Sequence, residues 1–157
     1  PFVNNEIYHV YNRGVEKRLI FGNDKDRFRF VNNLYEMNSS LPILNNGYRL
    51  ARNNIDIEVQ LQYTRERDKL VEILAFCLMP NHYHLLIRQI QEKGIVKFMQ
   101  KIGTAYTNYF NIKNDRVGPL FQGRFKAVLV EKDDRGITFL PQELIIVIYL
   151  IVNLYLI

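Results

Sequence analysis

The elements legible along the chain run strand, helix, strand, strand, helix, strand, and that order predicts an α+β sandwich with an antiparallel sheet carrying helices on one face. Two observations carry the prediction. An apolar run, Ile73 to Met79, is broken by Pro80-Asn81 and resumes at His82, which reads as a hairpin. Two segments with helical spacing flank that hairpin, each next to a short β-branched and aromatic stretch. The arrangement is ferredoxin-like, with an insertion at about 41–72 and a C-terminal helix added. A chain of 157 residues builds one domain with a substantial core, so residues 1–157 are read as a single domain.

Each element has its own signal. Residues 6–11 (Glu-Ile-Tyr-His-Val-Tyr) form a first strand that runs into the turn-forming Asn12-Arg13-Gly14. From Asp24, a plausible cap, to about Asn38, Phe28, Val31 and Tyr35 recur at helical spacing with Phe30, Leu34 and Met37 beside them. Residues 39–54 are rich in Ser, Asn, Pro and Gly and read as a loop; 55–63 then alternates apolar and polar residues, as a half-buried strand does. Ile73–Met79 reads as a strand buried on both faces, followed by a strand from His82 to about Gln89. Residues 95–111 carry one apolar stripe, Ile95, Phe98, Met99, Ile102, Tyr106, Tyr109 and Phe110, and read as a helix. A Gly/Pro/Asn loop over 111–124 precedes a strand at roughly 125–131. Residues 144–157 are apolar apart from Asn153; both a packed helix and a strand fit them, and they are too short to span a bilayer as a helix.

Composition narrows the function. Lys and Arg number 21 against 16 Asp and Glu, a net charge of +5 that favours a polyanionic partner. The 48% hydrophobic and 24% charged content excludes disorder. A single cysteine, Cys77, excludes a disulfide framework and a CxxC metal site and points to a reducing compartment. The opening residues show no basic-then-apolar leader, so the expectation is a cytoplasmic protein with no membrane contact.

The chemistry concentrates in Met79-Pro-Asn-His82-Tyr83-His84-Leu-Leu-Ile87. His82 and His84 are two apart on a predicted strand, so both imidazoles project from one face and can share a divalent metal. An isolated His-x-His pair is more often half-exposed surface, but this one stands at the start of a strand beside a turn, where sites form. Tyr83 points away from that face by alternation. His9 is the only other histidine.

Together with Tyr8-His-Val-Tyr-Asn-Arg-Gly14, Phe98-Met-Gln, Tyr106-Thr-Asn-Tyr-Phe-Asn111 and Gly118-Pro-Leu-Phe-Gln-Gly-Arg-Phe125, this stretch resembles the HUH-type single-strand DNA transposases, specifically the REP-associated tyrosine transposases (RAYT-like) with one catalytic tyrosine. The resemblance covers nearly the whole chain in the family's order. It implies the ferredoxin-like fold, a Mg²⁺ or Mn²⁺ site on His82 and His84, and cleavage and joining of single-stranded DNA beside hairpins through a covalent phosphotyrosine. The family places its nucleophile on the last helix in a Tyr-Ile-His-Leu-Asn-Pro stretch, with an amide four residues on at the metal. The corresponding stretch here is Tyr149-Leu-Ile-Val-Asn153-Leu154, which implies Tyr149 as nucleophile and Asn153 as third metal ligand. Ile151 and Leu154 depart from the pattern. On a helix, positions 149 and 153 share a face; on a strand they stand about 13 Å apart, too far for one metal site. Tyr106 is the second candidate nucleophile, but its place on an apolar stripe argues for packing.

Residues 97–126 hold Lys97, Lys101, Lys113, Arg116, Arg124 and Lys126 against Asp115 alone, interleaved with aromatic residues. Cations for phosphates beside aromatic platforms for unpaired bases suit a single-strand groove, and a solvated face over an ordinary core suits the same composition. Arg13 and Arg124 are the cations expected nearest phosphates, because guanidinium binds phosphate in two-pronged fashion. The leading reading is a metal-dependent single-stranded DNA endonuclease and strand-transfer enzyme, acting as a monomer or homodimer. The alternatives are a catalytically inactive hairpin-DNA-binding module and a two-histidine phosphoester hydrolase.

Overall fold

A computed structural model of the chain describes residues 1–40, 68–133 and 136–137. In chain order the elements are β1 (Ile7–Arg13), a 3₁₀ turn (Val15–Lys17), α1 (Asp24–Glu36), β2 (Val71–Met79), β3 (His82–Gln89), α2 (Gly94–Lys113), β4 (Lys126–Leu129), β5 (Lys132–Asp133) and β6 (Gly136–Ile137). The first four strands form one sheet in the order β2-β3-β1-β4, antiparallel throughout. β3 lies between β1 and β2, so the crossover through α1 skips one place in the sheet; that is the ferredoxin-like arrangement. β5 and β6 pair as a separate ribbon.

The alternation of strand side chains gives the sheet two distinct faces. Tyr8 and Val10 of β1 and Tyr83, Leu85 and Ile87 of β3 form one core with Phe30 and Leu34 of α1 and Phe98, Ile102 and Tyr106 of α2. Both helices therefore lie on that face. Ile7, Ala75, Leu86 and Val130 form a second, smaller cluster on the other face. The apolar stripe expected on α2 is the one that packs, with Ile95, Phe98, Met99, Ile102, Tyr106 and Phe110 buried.

Several expectations are corrected. On α1 the buried apolar residues are Phe30 and Leu34, while Phe28 and Tyr35 are exposed; both sets obey helical spacing, and the sheet's position selects between them. The helix cap is Asn23, whose side chain accepts from the Asp26 N–H, instead of Asp24. β2 is only partly buried: Val71 joins the core under the helices and Ala75 the smaller cluster on the other face, while Leu74 and Phe76 of this edge strand remain partly exposed, and a bulge separates Ile73 from Ala75. β2 also claims Val71 and Glu72 from the expected insertion. β4 is shorter than the expected 125–131. The loop and strand expected within 41–67, and the C-terminal helix with Tyr149 and Asn153, lie outside the described residues.

The two stems of the insertion are fastened together. Asn38, buried past the end of α1, accepts from the Leu70 and Val71 N–H groups at 3.1 and 3.0 Å and donates to the Val71 carbonyl at 2.8 Å. Ser40 donates its backbone N–H to the Asp68 carbonyl at 2.9 Å and its hydroxyl to the Asp68 carboxylate. At the other end of the sheet, buried Gln89 donates to the Phe2 carbonyl and the Asn4 side chain and accepts from the Ile95 N–H, linking the N-terminal segment to the first turn of α2.

Candidate functional site

The expected hairpin forms: Pro80-Asn81 turns the chain between β2 and β3, and His82 and His84 emerge on the sheet face opposite the helices. Cross-strand pairing then decides their neighbours. His82 stands between Met79 of β2 and Arg13 of β1, and His84 between Cys77 and Tyr11. Tyr11 pairs in turn with Lys126 of β4, and His9 with Leu86 and Val128.

Three histidines thereby share one patch, although His9 is 75 positions from His84. His9 Nε2 lies 2.8 Å from His84 Nδ1, and the two rings are stacked, 5° from parallel with centroids 5.0 Å apart. The His82 ring is T-shaped to that of His84, also at 5.0 Å. Tyr11 stacks on the pair, its ring 5.0 Å from His9 and 5.8 Å from His84. His9 and His84 are buried, while His82 and Tyr11 are half-buried.

The hydrogen bonds of the pair bear on cation binding. His82 Nδ1 lies 2.6 Å from Asn81 Oδ1, and a carbonyl oxygen can only accept, so Nδ1 carries the proton and Nε2 keeps a free lone pair. Asn81 is itself held by donation to the Lys17 carbonyl. His84 Nδ1 faces His9 Nε2, a contact in which either imidazole can donate. Two neutral imidazoles of this kind fit two positions in the coordination sphere of a divalent cation that takes its other ligands from oxygen. Among the described residues no group of three or more His, Cys, Asp or Glu side chains is arranged to hold a metal ion.

The motif Gly118 to Phe125 runs along the end of β1 beside this patch. The Val15 N–H donates to the Leu120 carbonyl, Gly14 bridges Phe121, the Gln122 N–H donates to the Arg13 carbonyl, and Asn12 donates to the Gly123 carbonyl. Arg13 Nε donates to Gln122 Oε1, which steadies the guanidinium one strand away from His82. Gly123 has φ +127°, a conformation that only glycine adopts without strain, and it sets the exit toward Arg124.

The cations expected to contact DNA fall into two groups. Arg13 and Lys126 lie on the histidine face, and exposed Arg124 follows the Gly123 turn. Lys97, Lys101 and Lys113 belong to α2, across the sheet. Lys97 is exposed. Lys101 donates to the Ser39 carbonyl at 2.5 Å, and burial pushes its ammonium pKa down. Lys113 is bonded to the buried Asp26 carboxylate at 2.5 Å. Arg116 donates to Asn111 Oδ1 and the Pro119 carbonyl, bracing the loop after α2.

The tyrosines separate in the same way. Tyr83 lies in the core against the helices, and its burial pushes the phenol pKa far up. Tyr106 is likewise raised by burial, then by the nearby Asp26 and Tyr109, and its hydroxyl donates to the Ile20 carbonyl at 2.6 Å. Tyr11 is the tyrosine among the described residues that shares the histidine face. Sequence reasoning missed both His9 and Tyr11 as members of the site, because only strand register brings them to His84.

This sheet, with its helices on one face and its histidines on the other, has the fold of solved transposases. One is a REP-associated tyrosine transposase bound to a REP hairpin, with TM-score 0.52 and 9% identity over 86% of this chain and 62% of that one. Another is a protein of Deinococcus radiodurans R1 described as a transposase, with TM-score 0.50 and 14% identity over 85% of each chain. At these identities the likeness is one of fold, and the chain spans less than two thirds of the first of these proteins. No curated protein matches. The family described as "Transposase IS200 like" matches residues 50–138, more than half of the chain. The chain belongs to this family of IS200-like transposases.

Proposed function

We propose that the protein is a metal-dependent endonuclease and strand-transfer enzyme for single-stranded DNA near hairpins, of the REP-associated tyrosine type. The single observation that carries this reading is the pair His82 and His84 on one sheet face, each with its Nδ1 engaged, in a chain of the IS200-like transposase family. His82 and His84 would hold Mg²⁺ or Mn²⁺, with Asn153 as third protein ligand. A divalent cation there supplies charge stabilisation to a phosphate oxygen and orients the phosphodiester. Tyr149 is the proposed nucleophile: its oxygen forms a bond to phosphorus as the bond to the 3′ oxygen breaks. The tyrosyl proton leaves, the departing 3′ oxygen takes up a proton, and the 5′ phosphate stays on tyrosine. Arg13, Arg124 and Lys126 hold the DNA backbone beside the histidines, whereas Lys97, Lys101 and Lys113 on α2 lie across the sheet and Arg116 braces the loop after α2, so these four are not assigned phosphates at the site.

The test is covalent capture. Labelled single-stranded DNA carrying a hairpin is incubated with the protein and Mn²⁺, and the expected adduct disappears in Tyr149→Phe and in His82→Ala/His84→Ala. An adduct that survives Tyr149→Phe and disappears in Tyr11→Phe would move the nucleophile to β1. No adduct in the unaltered protein with either metal, alongside retained hairpin binding, would sink the enzyme reading and leave a DNA-binding module. Among the described residues no helix is long and apolar enough to cross a membrane.

A further inference from the structure

We infer that His9 is a positioning residue for the histidine pair: its Nε2 accepts the Nδ1 proton of His84 and so locks His84 in the tautomer that offers Nε2 to a divalent cation. The inference rests on the metal reading above and names a residue in it. The observations are geometric. His9 is 5% exposed, and its cross-strand partners on that face are Leu86 and Val128. A buried imidazole flanked by Leu86, Val128 and the Tyr11 ring is costly unless its polar atoms are bonded, and the 2.8 Å contact to His84 Nδ1 supplies a bond.

The near-parallel rings fix the orientation of His84 as well as its proton, since rotating either ring breaks the contact. His82 has an equivalent support in Asn81 Oδ1, 2.6 Å from its Nδ1. The two candidate ligands are thus braced alike, one by an amide on the adjacent turn and one by an imidazole from the neighbouring strand. Where a metal-ligating histidine has its second nitrogen bonded, that bond selects the tautomer and raises the basicity of the ligating nitrogen. His9 does this without entering the coordination sphere, because its own Nε2 is directed at His84.

The experiment compares unaltered protein with His9→Leu, His9→Gln and His84→Ala, using Mn²⁺ alone as the probe in calorimetric titration. Thermal unfolding verifies that each variant is folded. The glutamine amide oxygen reaches about where Nε2 stands and can accept the same proton. His84→Ala is expected to lose Mn²⁺ binding. His9→Leu is expected to bind about 10- to 100-fold more weakly, and His9→Gln to recover to within about threefold of the unaltered protein. Nitrogen-15 spectra of the metal-free protein give a second readout: His84 protonated on Nδ1 in the unaltered protein and His9→Gln, shifting toward Nε2 protonation in His9→Leu.

Unchanged Mn²⁺ affinity in a folded His9→Leu, with His84→Ala still inactive in binding, overturns the role of His9 and leaves the metal reading standing. Equal Mn²⁺ binding in the unaltered protein and His84→Ala overturns the metal reading itself. An Nε2-protonated His84 in the unaltered protein overturns the tautomer assignment in either case.

Discussion

Asp26 shows how one residue couples stability to pH. Its carboxylate accepts from Lys113 Nζ at 2.5 Å, the Tyr109 hydroxyl at 2.8 Å and the Gly22 N–H at 2.9 Å, while almost wholly shielded from solvent. Burial alone would raise its pKa, but these bonds and the Lys113 charge outweigh burial and hold it below the ordinary 3.8. A carboxyl depressed in the folded state adds stability that is fully present above its unfolded value. That stability is lost as pH falls through the folded value, so unfolding free energy should drop below about pH 4, and Asp26→Asn should flatten the drop. Urea midpoints across pH 2.5–6 measure it; equal slopes for both proteins would contradict it. Asn38 offers a second residue-scale prediction. Asn38→Ala removes the acceptor for two buried backbone N–H groups and should cost about 1–3 kcal/mol, read from the same urea curves.

At the scale of elements, the Gly14 junction after β1 is the place where close approach is required. A Cβ on Gly14 would stand 2.4 Å from the Arg18 carbonyl oxygen, so Gly14→Ala must push apart the 3₁₀ turn and the end of β1. Overpacking of this kind costs about 1–3 kcal/mol, and here it falls beside Arg13 and the Asn81 carbonyl that Gly14 N–H bonds. The expected result is a lower unfolding temperature together with weaker hairpin-DNA binding; loss of neither would contradict it. The elements also show what sequence could disclose. β3 was legible to the residue because a proline turn opens it and a period of two gives its faces. The face of α1 was not, since Phe28, Val31 and Tyr35 repeat as well as Phe30 and Leu34, and the choice belongs to the sheet beneath. β2 misled for a related reason: its apolar run reads as buried throughout, but at the edge of the sheet Val71 and Ala75 are covered while Leu74 and Phe76 stay partly exposed. His9 was hidden most thoroughly, as its link to His84 exists only in the register of β1 against β3.

For the whole molecule, separation of the two sheet faces divides the positive charge into a part beside the histidines and a part behind the helices. Lys126→Ala should lower the salt slope of single-strand binding by about 0.7, and Lys97→Ala should leave it unchanged, in anisotropy titrations at several KCl concentrations. Equal effects would show that DNA wraps both faces. The joined stems at Ser40 and Asp68 yield a second expectation: replacing residues 41–67 with a short Gly/Ser linker should keep the cooperative unfolding transition, since the ends to be bridged already meet. Loss of cooperativity in that variant would show that the insertion completes the core. The two-faced sheet has one more consequence, and it concerns inheritance. Deleting the codon for Tyr83 would turn the remainder of β3 over, presenting His84 to the helices and Leu85 and Ile87 to the site. In-frame length changes within β3 therefore disturb core and site together, whereas the stems joined at Ser40 and Asp68 allow length to change between them.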